Sequence, residues 1–276
     1  MHPILFQLGP FTLHAFGAMM ALGFLAAFQA MRHLARRGFV PIDDDQLARL
    51  LVWLMVGGVM GARLAYVAEH WRAEFVDSPA SIIRIDQGGL MFYGGVLGAV
   101  LAISLFARAN RQNLLGLYDL CAAVLPLGHA FGRLGCFLNG CCYGRVCESA
   151  VSVRYPAGSM AWREQVAAGL LPHAASASLP MLPTQLIELV ANLALFALLF
   201  RLARRHAFRG RITAVYLMLY ACIRFNTERM RGDARLVVGG GLSIGQLISL
   251  VLFGLGLGLF LWLRARSRRP DASTAS

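Results

Sequence analysis

The chain of 276 residues contains no lysine, so all 26 of its basic charges are arginine. Acidic residues number 14, and charged residues together make up only 14%, against 58% hydrophobic and a mean hydropathy of +0.60. So little charge excludes a soluble globule of this length. No charged stretch precedes the first apolar run, which opens Met1-His2-Pro3, and no cleavable signal peptide is expected. No internal repeat is visible, which argues against solenoids and against transporters built from inverted halves. Lysine's absence carries no functional reading of its own.

What the chain does contain is apolar sequence in runs long enough to cross a bilayer, which takes about 20 residues at about 1.5 Å each. Seven such runs lie at roughly 12–31, 47–66, 88–107, 115–135, 182–200, 212–231 and 242–263. The expected fold is all-α, a polytopic membrane protein with a seven-helix transmembrane bundle. Fourteen arginines fall in the loops after the first, third and fifth runs and in the tail, and only six lie in the opposite loops. The positive-inside rule then puts the N-terminus outside and the C-terminus in the cytoplasm. A net charge of +12 distributed this way marks topology and contact with anionic lipid, and no nucleic acid partner is expected.

Residues 1–264 are expected to form the transmembrane domain, with the long external loop 136–181 as a small periplasmic cap and 265–276 as a disordered tail. Within that loop, Met160 to Leu171 suits a short amphipathic helix with Trp162 at the interface. Residues 1–11, with Pro3 and Pro10, suit either a segment along the outer surface or a frayed start to the first helix.

On this topology Arg63, Arg133, Arg224, Arg229 and Arg231 all fall near the outer end of the bundle. Gln185, Glu188, Glu228, Ser243, Gln246 and Tyr93 fall at the same depth. His129 and Arg133 are four apart, as are Arg224 and Glu228; Glu228 and Arg231 are three apart, as are Gln185 and Glu188, so each pair shares a helix face. A guanidinium in hydrocarbon costs roughly 2.5–3.5 kcal/mol, which makes intramembrane arginines functional candidates. Pairing with the glutamates as interhelical glue explains any one of them. Five arginines set against Glu188 and Glu228 leave surplus positive charge, suited to a phosphate. Asp119, near the cytoplasmic end of its helix, suits a structural carboxylate.

Glycines in Gly57-Gly58-Val59-Met60-Gly61 and in Gly88-Gly89-Leu90-Met91-Phe92-Tyr93-Gly94-Gly95 suit close helix packing. Tyr93 between two glycine pairs reads either as a headgroup-belt tyrosine or as a catalytic one. Cys136, Cys141, Cys142 and Cys147 fall just outside the membrane, and three readings stand. They form disulfides that stiffen the turn, or a zinc site with His129, or Cys141 is a nucleophile made acidic by Arg133. Cys121 and Cys222 read as packing residues.

The run from His129 through Arg133-Leu134-Gly135-Cys136-Phe137-Leu138-Asn139-Gly140-Cys141-Cys142-Tyr143-Gly144 carries a resemblance. Together with Met60 to Tyr66, Leu182 to Glu188, Arg224 to Asp233 and Ser243 to Ser249, it is similar in content and order to the phosphatidylglycerol:prolipoprotein diacylglyceryl transferase family, from Leu13 to about Trp262. The resemblance implies an inner-membrane enzyme that needs no cofactor or metal. It would move the diacylglyceryl group of phosphatidylglycerol to the lipobox cysteine of a preprolipoprotein signal peptide, making a thioether and releasing glycerol phosphate. Arg133 and Arg231 match the family's essential arginines. Arg63, Asn139, Gly144, Gln185, Glu188, Glu228 and Gln246 fall on its other polar or glycine positions, with His129 beside them. Family members usually carry histidine at the position of Tyr93, asparagine at Cys136 and glutamate at Cys141, so Tyr93 and Cys141 are the candidates for the remaining catalytic work. Transfer to another acceptor, or an anion channel or transporter, are the competing readings.

Overall fold

The computed structural model describes residues 4–8, 11–76, 78–84, 88–205, 208–232 and 241–267. Two short strands, β1 (Ile4–Leu8) and β2 (Phe11–His14), come first and pair antiparallel with Phe6 opposite Leu13 and Gln7 opposite Thr12. The start of the chain is therefore a hairpin and not a frayed helix, and it shortens the first helix at its N-terminal end. Among the described residues eight α-helices follow: α1 (Ala15–Arg36), α2 (Asp44–His70), α3 (Phe92–Ala109), α4 (Leu114–Asn139), α5 (Met160–Ala167), α6 (Thr184–Ala203), α7 (Arg211–Met230) and α8 (Ile244–Ser267).

Each expected span is met by a helix, and six are long and apolar enough to cross a membrane. The chain is an all-α polytopic membrane protein. The helix that falls short is α7, which has 20 residues but carries Arg211, Arg224, Glu228 and Arg229. Polar side chains are buried alongside the apolar core, and large apolar ones lie on the surface. Gln185, Asn192, Glu188, Gln246 and Ser249 are buried, whereas Leu97, Val190 and Leu64 are each 60% exposed or more. Large apolar side chains facing outward along the long apolar helices suit a surface covered by hydrocarbon.

Two compact units divide the chain within α1 and within α4: Met31–Leu120, and Met1–Ala30 with Cys121–Ser276. In the first, α2 starts at Asp43, whose carboxylate accepts from the Gln46 N–H at 2.6 Å. Arg32 and Arg36 close on Asp44 at 2.8 and 2.7 Å. The helix ends in a π-helical turn over Trp71–Phe75. It packs against α3 through facing small residues. A Cβ on Gly57 would stand 2.9 Å from the Gly98 carbonyl, and one on Gly61 2.8 Å from Gly98 Cα. Glycine at both positions is what lets the two backbones touch.

In the second unit α6, α7 and α8 pack in sequence, and α4 runs through Pro126 without ending. The segment between α4 and α6 carries the short helix α5. α5 starts at Ser159, whose hydroxyl accepts from the Trp162 N–H, and stops at Ala167, short of the expected Leu171. Tyr143, Tyr155, Ala161 and Met181 form a buried cluster beneath it. Helix α8 extends through Ser267, past the expected start of the tail, and residues 268–276 lie outside those described.

Candidate active site

Backbone geometry around Gly144 brings three distant segments together. Gly144 N–H donates to Leu182 C=O at 2.9 Å, Arg145 N–H to Met230 C=O at 2.9 Å, and Gly232 N–H to Tyr143 C=O at 3.1 Å. Gly144 and Arg231 form an antiparallel bridge. The approach is so close that a Cβ on Gly144 would lie 2.5 Å from the Leu182 carbonyl oxygen. Gly144 thus serves the crossing itself: it fixes the end of α7, and with it Arg231, beside the cysteine turn that follows α4.

That turn is held from α6. Gln185, fully buried, donates Nε2 to the Cys141 carbonyl at 2.7 Å and meets the Tyr155 hydroxyl at 2.9 Å. Thr184 donates its hydroxyl to the Cys142 carbonyl at 2.9 Å. Gly140 and Cys142 both have left-handed backbones, φ 72° and 59°, the second a strained conformation for a residue with a Cβ. All six cysteines are free thiols. The sulfurs of Cys136, Cys141 and Cys142 lie within 4.8 Å of one another. His129, two turns earlier on α4, is not part of that group and faces the Tyr220 ring at a centroid distance of 5.4 Å. Hydrogen bonds from Cys136 and Cys141, with the charges of Arg231 and Arg133, draw the Cys142 thiol far below its usual range. For Cys141 the hydrogen bond with Cys136 pulls down, but its bond with Cys142 and burial outweigh that and push the thiol up.

The charged core of the unit is a chain across α4, α6 and α7. Arg133 Nε lies 2.5 Å from Glu188 Oε2, Arg224 Nη1 lies 3.7 Å from Glu188 Oε1, and Arg224 Nη2 lies 2.6 Å from Glu228 Oε2. Glu188 is shared, so Arg133 does not have it to itself, and Arg224 bridges the two glutamates. Arg133 Nε and Arg224 Nη1 are buried without an aligned hydrogen bond: they are held by charge alone. Glu228 also accepts from the Ser243 hydroxyl at 3.1 Å. Ser243 and Gln246 form a reciprocal cap at the start of α8, with Ser243 N–H donating to Gln246 Oε1 at 3.0 Å and Gln246 N–H to Ser243 Oγ at 3.2 Å. A Cβ on Gly245 would sit 2.8 Å from the Glu228 carboxyl carbon. Gln246 therefore builds the seat of Glu228.

Other expected site residues stand elsewhere. Arg229, one of the five arginines expected to converge, is exposed. Asn139 ends α4, and its side chain hydrogen-bonds toward Cys141. Arg63 and Tyr93 belong to the other compact unit. There Arg63 donates Nε to Ile82 C=O at 2.8 Å, Nη1 to Gly88 and Gly89 C=O at 3.0 Å each, and Nη2 to Ser81 C=O at 2.7 Å. Its guanidinium also lies 5.3 Å from the Phe75 ring centroid and 5.6 Å from that of Tyr66. With four N–H groups on carbonyls, Arg63 ties a loop to α2 and has little left for a ligand. Tyr93, second residue of α3, is 47% exposed and touches the Phe92 ring edge-on.

Sequence reasoning missed Tyr155, Thr184 and Asn192. Asn192 is fully buried one turn after Glu188, donates Nδ2 to the Glu188 carbonyl at 2.7 Å, and leaves Oδ1 without a partner. Its four-residue spacing from Glu188 was the available signal.

Residues 3–262 match the model of the prolipoprotein diacylglyceryl transferase family. The phosphatidylglycerol–prolipoprotein diacylglyceryl transferase of Xylella fastidiosa (strain M23) is 33% identical, across 96% of this chain and 93% of its own length. That of Paraburkholderia xenovorans (strain LB400) is 33% identical across 99% and 97%, and that of Geobacter sulfurreducens 31% across 97% of both. A run of matched sequence this long covers the arginine–glutamate chain, the cysteine turn and the Arg231 bridge alike, and the chain belongs to the prolipoprotein diacylglyceryl transferase family.

Proposed function

We propose that the chain transfers the diacylglyceryl group of phosphatidylglycerol to the lipobox cysteine of a preprolipoprotein signal peptide, working at the periplasmic face of the bacterial inner membrane with its N-terminus outside. The acceptor sulfur attacks the glycerol carbon that carries the phosphate ester. A C–S bond forms, the C–O bond breaks, and its electron pair leaves on glycerol phosphate. The thiol proton is lost to solvent.

One observation carries the reading: Arg133 and Arg224 share Glu188 at 2.5 and 3.7 Å, and the backbone bridge to Gly144 sets Arg231 beside the cysteine turn. Guanidinium groups attract a phosphodiester monoanion, and the second charge that develops on the departing phosphate strengthens the attraction. Stabilisation that grows toward the transition state is what accelerates a reaction. Arg133 and Arg231 are the catalytic cations. Gln185, Glu188, Glu228 and Gln246 hold them and the turn in place, and Asn139 and His129 flank the headgroup on α4. Arg63 and Gly144 serve the scaffold.

Purified protein incubated with labelled phosphatidylglycerol and a lipobox peptide tests this. The expected product is the peptide heavier by one diacylglyceryl group in thioether linkage, with one glycerol phosphate per peptide. Lipid consumed without that thioether would assign the enzyme another acceptor. Anion flux through liposomes with no lipid consumed would make it a channel.

A further inference from the structure

Three thiols converge at the end of α4 and in the turn that follows it. Cys136 lies on the last turn of α4, and Cys141 and Cys142 lie beyond Gly140, whose left-handed backbone folds the chain back. The fold is explicit: Cys141 N–H donates to Cys136 C=O at 3.1 Å. Thr184 and Gln185 then fix the carbonyls of Cys142 and Cys141 from α6. The turn is thus pinned through its backbone, leaving three partly exposed side chains directed at one another with sulfurs within 4.8 Å.

We propose that Cys136, Cys141 and Cys142 bind one Zn²⁺ with an open fourth position that takes the acceptor cysteine as a thiolate. This rests on the transfer reading above and gives it the element it lacks, a means of deprotonating the acceptor. Tetrahedral zinc with Zn–S bonds of about 2.3 Å sets its sulfurs about 3.8 Å apart, a contraction of 1 Å or less from the separation found. Three protein ligands with one open position is the pattern of catalytic zinc, and a thiol that coordinates the ion loses its proton outright. Three thiolates on a divalent ion leave a net negative charge, and the charges of Arg133 and Arg231 reach this cluster to offset it. The same two arginines would grip the phosphate, so nucleophile and leaving group meet at one place. The metal keeps its oxidation state throughout: the acceptor's proton leaves on coordination, and its sulfur then takes the glycerol carbon.

Metal content tests the site without reference to activity. Protein purified with ZnCl₂ and freed of excess by gel filtration is expected to hold one zinc per chain. Cys147→Ser, outside the cluster, retains it, and Cys136→Ser, Cys141→Ser and Cys142→Ser each lose it. With CoCl₂ in place of zinc, thiolate-to-cobalt charge-transfer absorption should rise by about one third when a lipobox peptide adds a fourth sulfur, and stay unchanged with a peptide whose cysteine is serine. Absence of bound metal in the wild-type protein, or a disulfide within the cluster by mass, overturns the site. Metal that binds while the peptide leaves the cobalt spectrum unchanged overturns the acceptor role. The two readings fail separately: transfer by metal-free protein leaves the function standing and sinks this inference, whereas bound metal without lipid transfer does the reverse.

Discussion

Arg133 Nε and Glu188 Oε2 stand 2.5 Å apart between α4 and α6, with side chains only 12% and 4% exposed. A pair this enclosed orders both groups, yet Glu188 keeps Arg224 at 3.7 Å when Arg133 is removed. Arg133→Ala should therefore cost less than the ~3–5 kcal/mol of a fully stranded buried charge, so the protein still inserts and folds. Transfer should fall about 10²–10³-fold, the usual loss for one preorganised donor. A double-mutant cycle of Arg133→Gln and Glu188→Gln, read by thermal unfolding in detergent, should give a coupling of about 0.5–3 kcal/mol. Full transfer activity in Arg133→Ala would remove the arginine from the chemistry.

Arg231 and Gly144 separate chemistry from scaffold, because their bridge is made by backbone alone. Arg231→Ala leaves the backbone bridge in place, so the protein should still fold while transfer falls about 10²–10³-fold. Gly144→Ala should do the opposite first, since its methyl meets the Leu182 carbonyl at 2.5 Å and overpacking costs about 1–3 kcal/mol. The two melts and two rates together decide the assignment.

Gly245→Ala should damage the site from the far side of Glu228. The added methyl would come within 3.0 Å of both carboxylate oxygens, so Glu228 must move and Ser243 and Arg224 lose their geometry. A loss of about 1–3 kcal/mol in stability is expected, with a fall in transfer that Gly254→Ala, in open space on the same helix, does not reproduce.

Arg63→Lys should loosen the loop tied to α2. A lysine has three donors at one point and cannot reach Ser81, Ile82, Gly88 and Gly89 together, and each carbonyl left unmade costs about 1.5–3 kcal/mol. Faster hydrogen exchange around these four residues, with the metal content of the cysteine turn unchanged, is the expected result.

Much of this was legible in the sequence because it depends on run length and helical spacing. The seven runs each became a helix, since a backbone in hydrocarbon must satisfy its own hydrogen bonds. Glu228, four residues from Arg224, meets it at 2.6 Å, and the glycines of α2 and α3 face one another. Arg63 was legible as an intramembrane arginine but not as a clamp, because its four acceptors are carbonyls of residues 81–89, 18 to 26 positions away. Backbone acceptors carry no residue identity that a pattern could reveal. The hairpin was hidden for a related reason: its two strands are five and four residues long, too short to set a period apart from the helix that follows.

By itself the sequence determined that this chain lives in a membrane, that its arginines outnumber the carboxylates available to them, and which family it resembles. Only the tertiary structure decided that Glu188 is divided between Arg133 and Arg224, that Arg231 is delivered by a backbone bridge to Gly144, and that three cysteines on two sides of a glycine turn share one place. Composition and periodicity report what each segment prefers on its own. Which carboxylate serves which cation depends on contacts between residues 36 and 55 positions apart, Glu188 with Arg224 and with Arg133, and those exist only after the helices have packed.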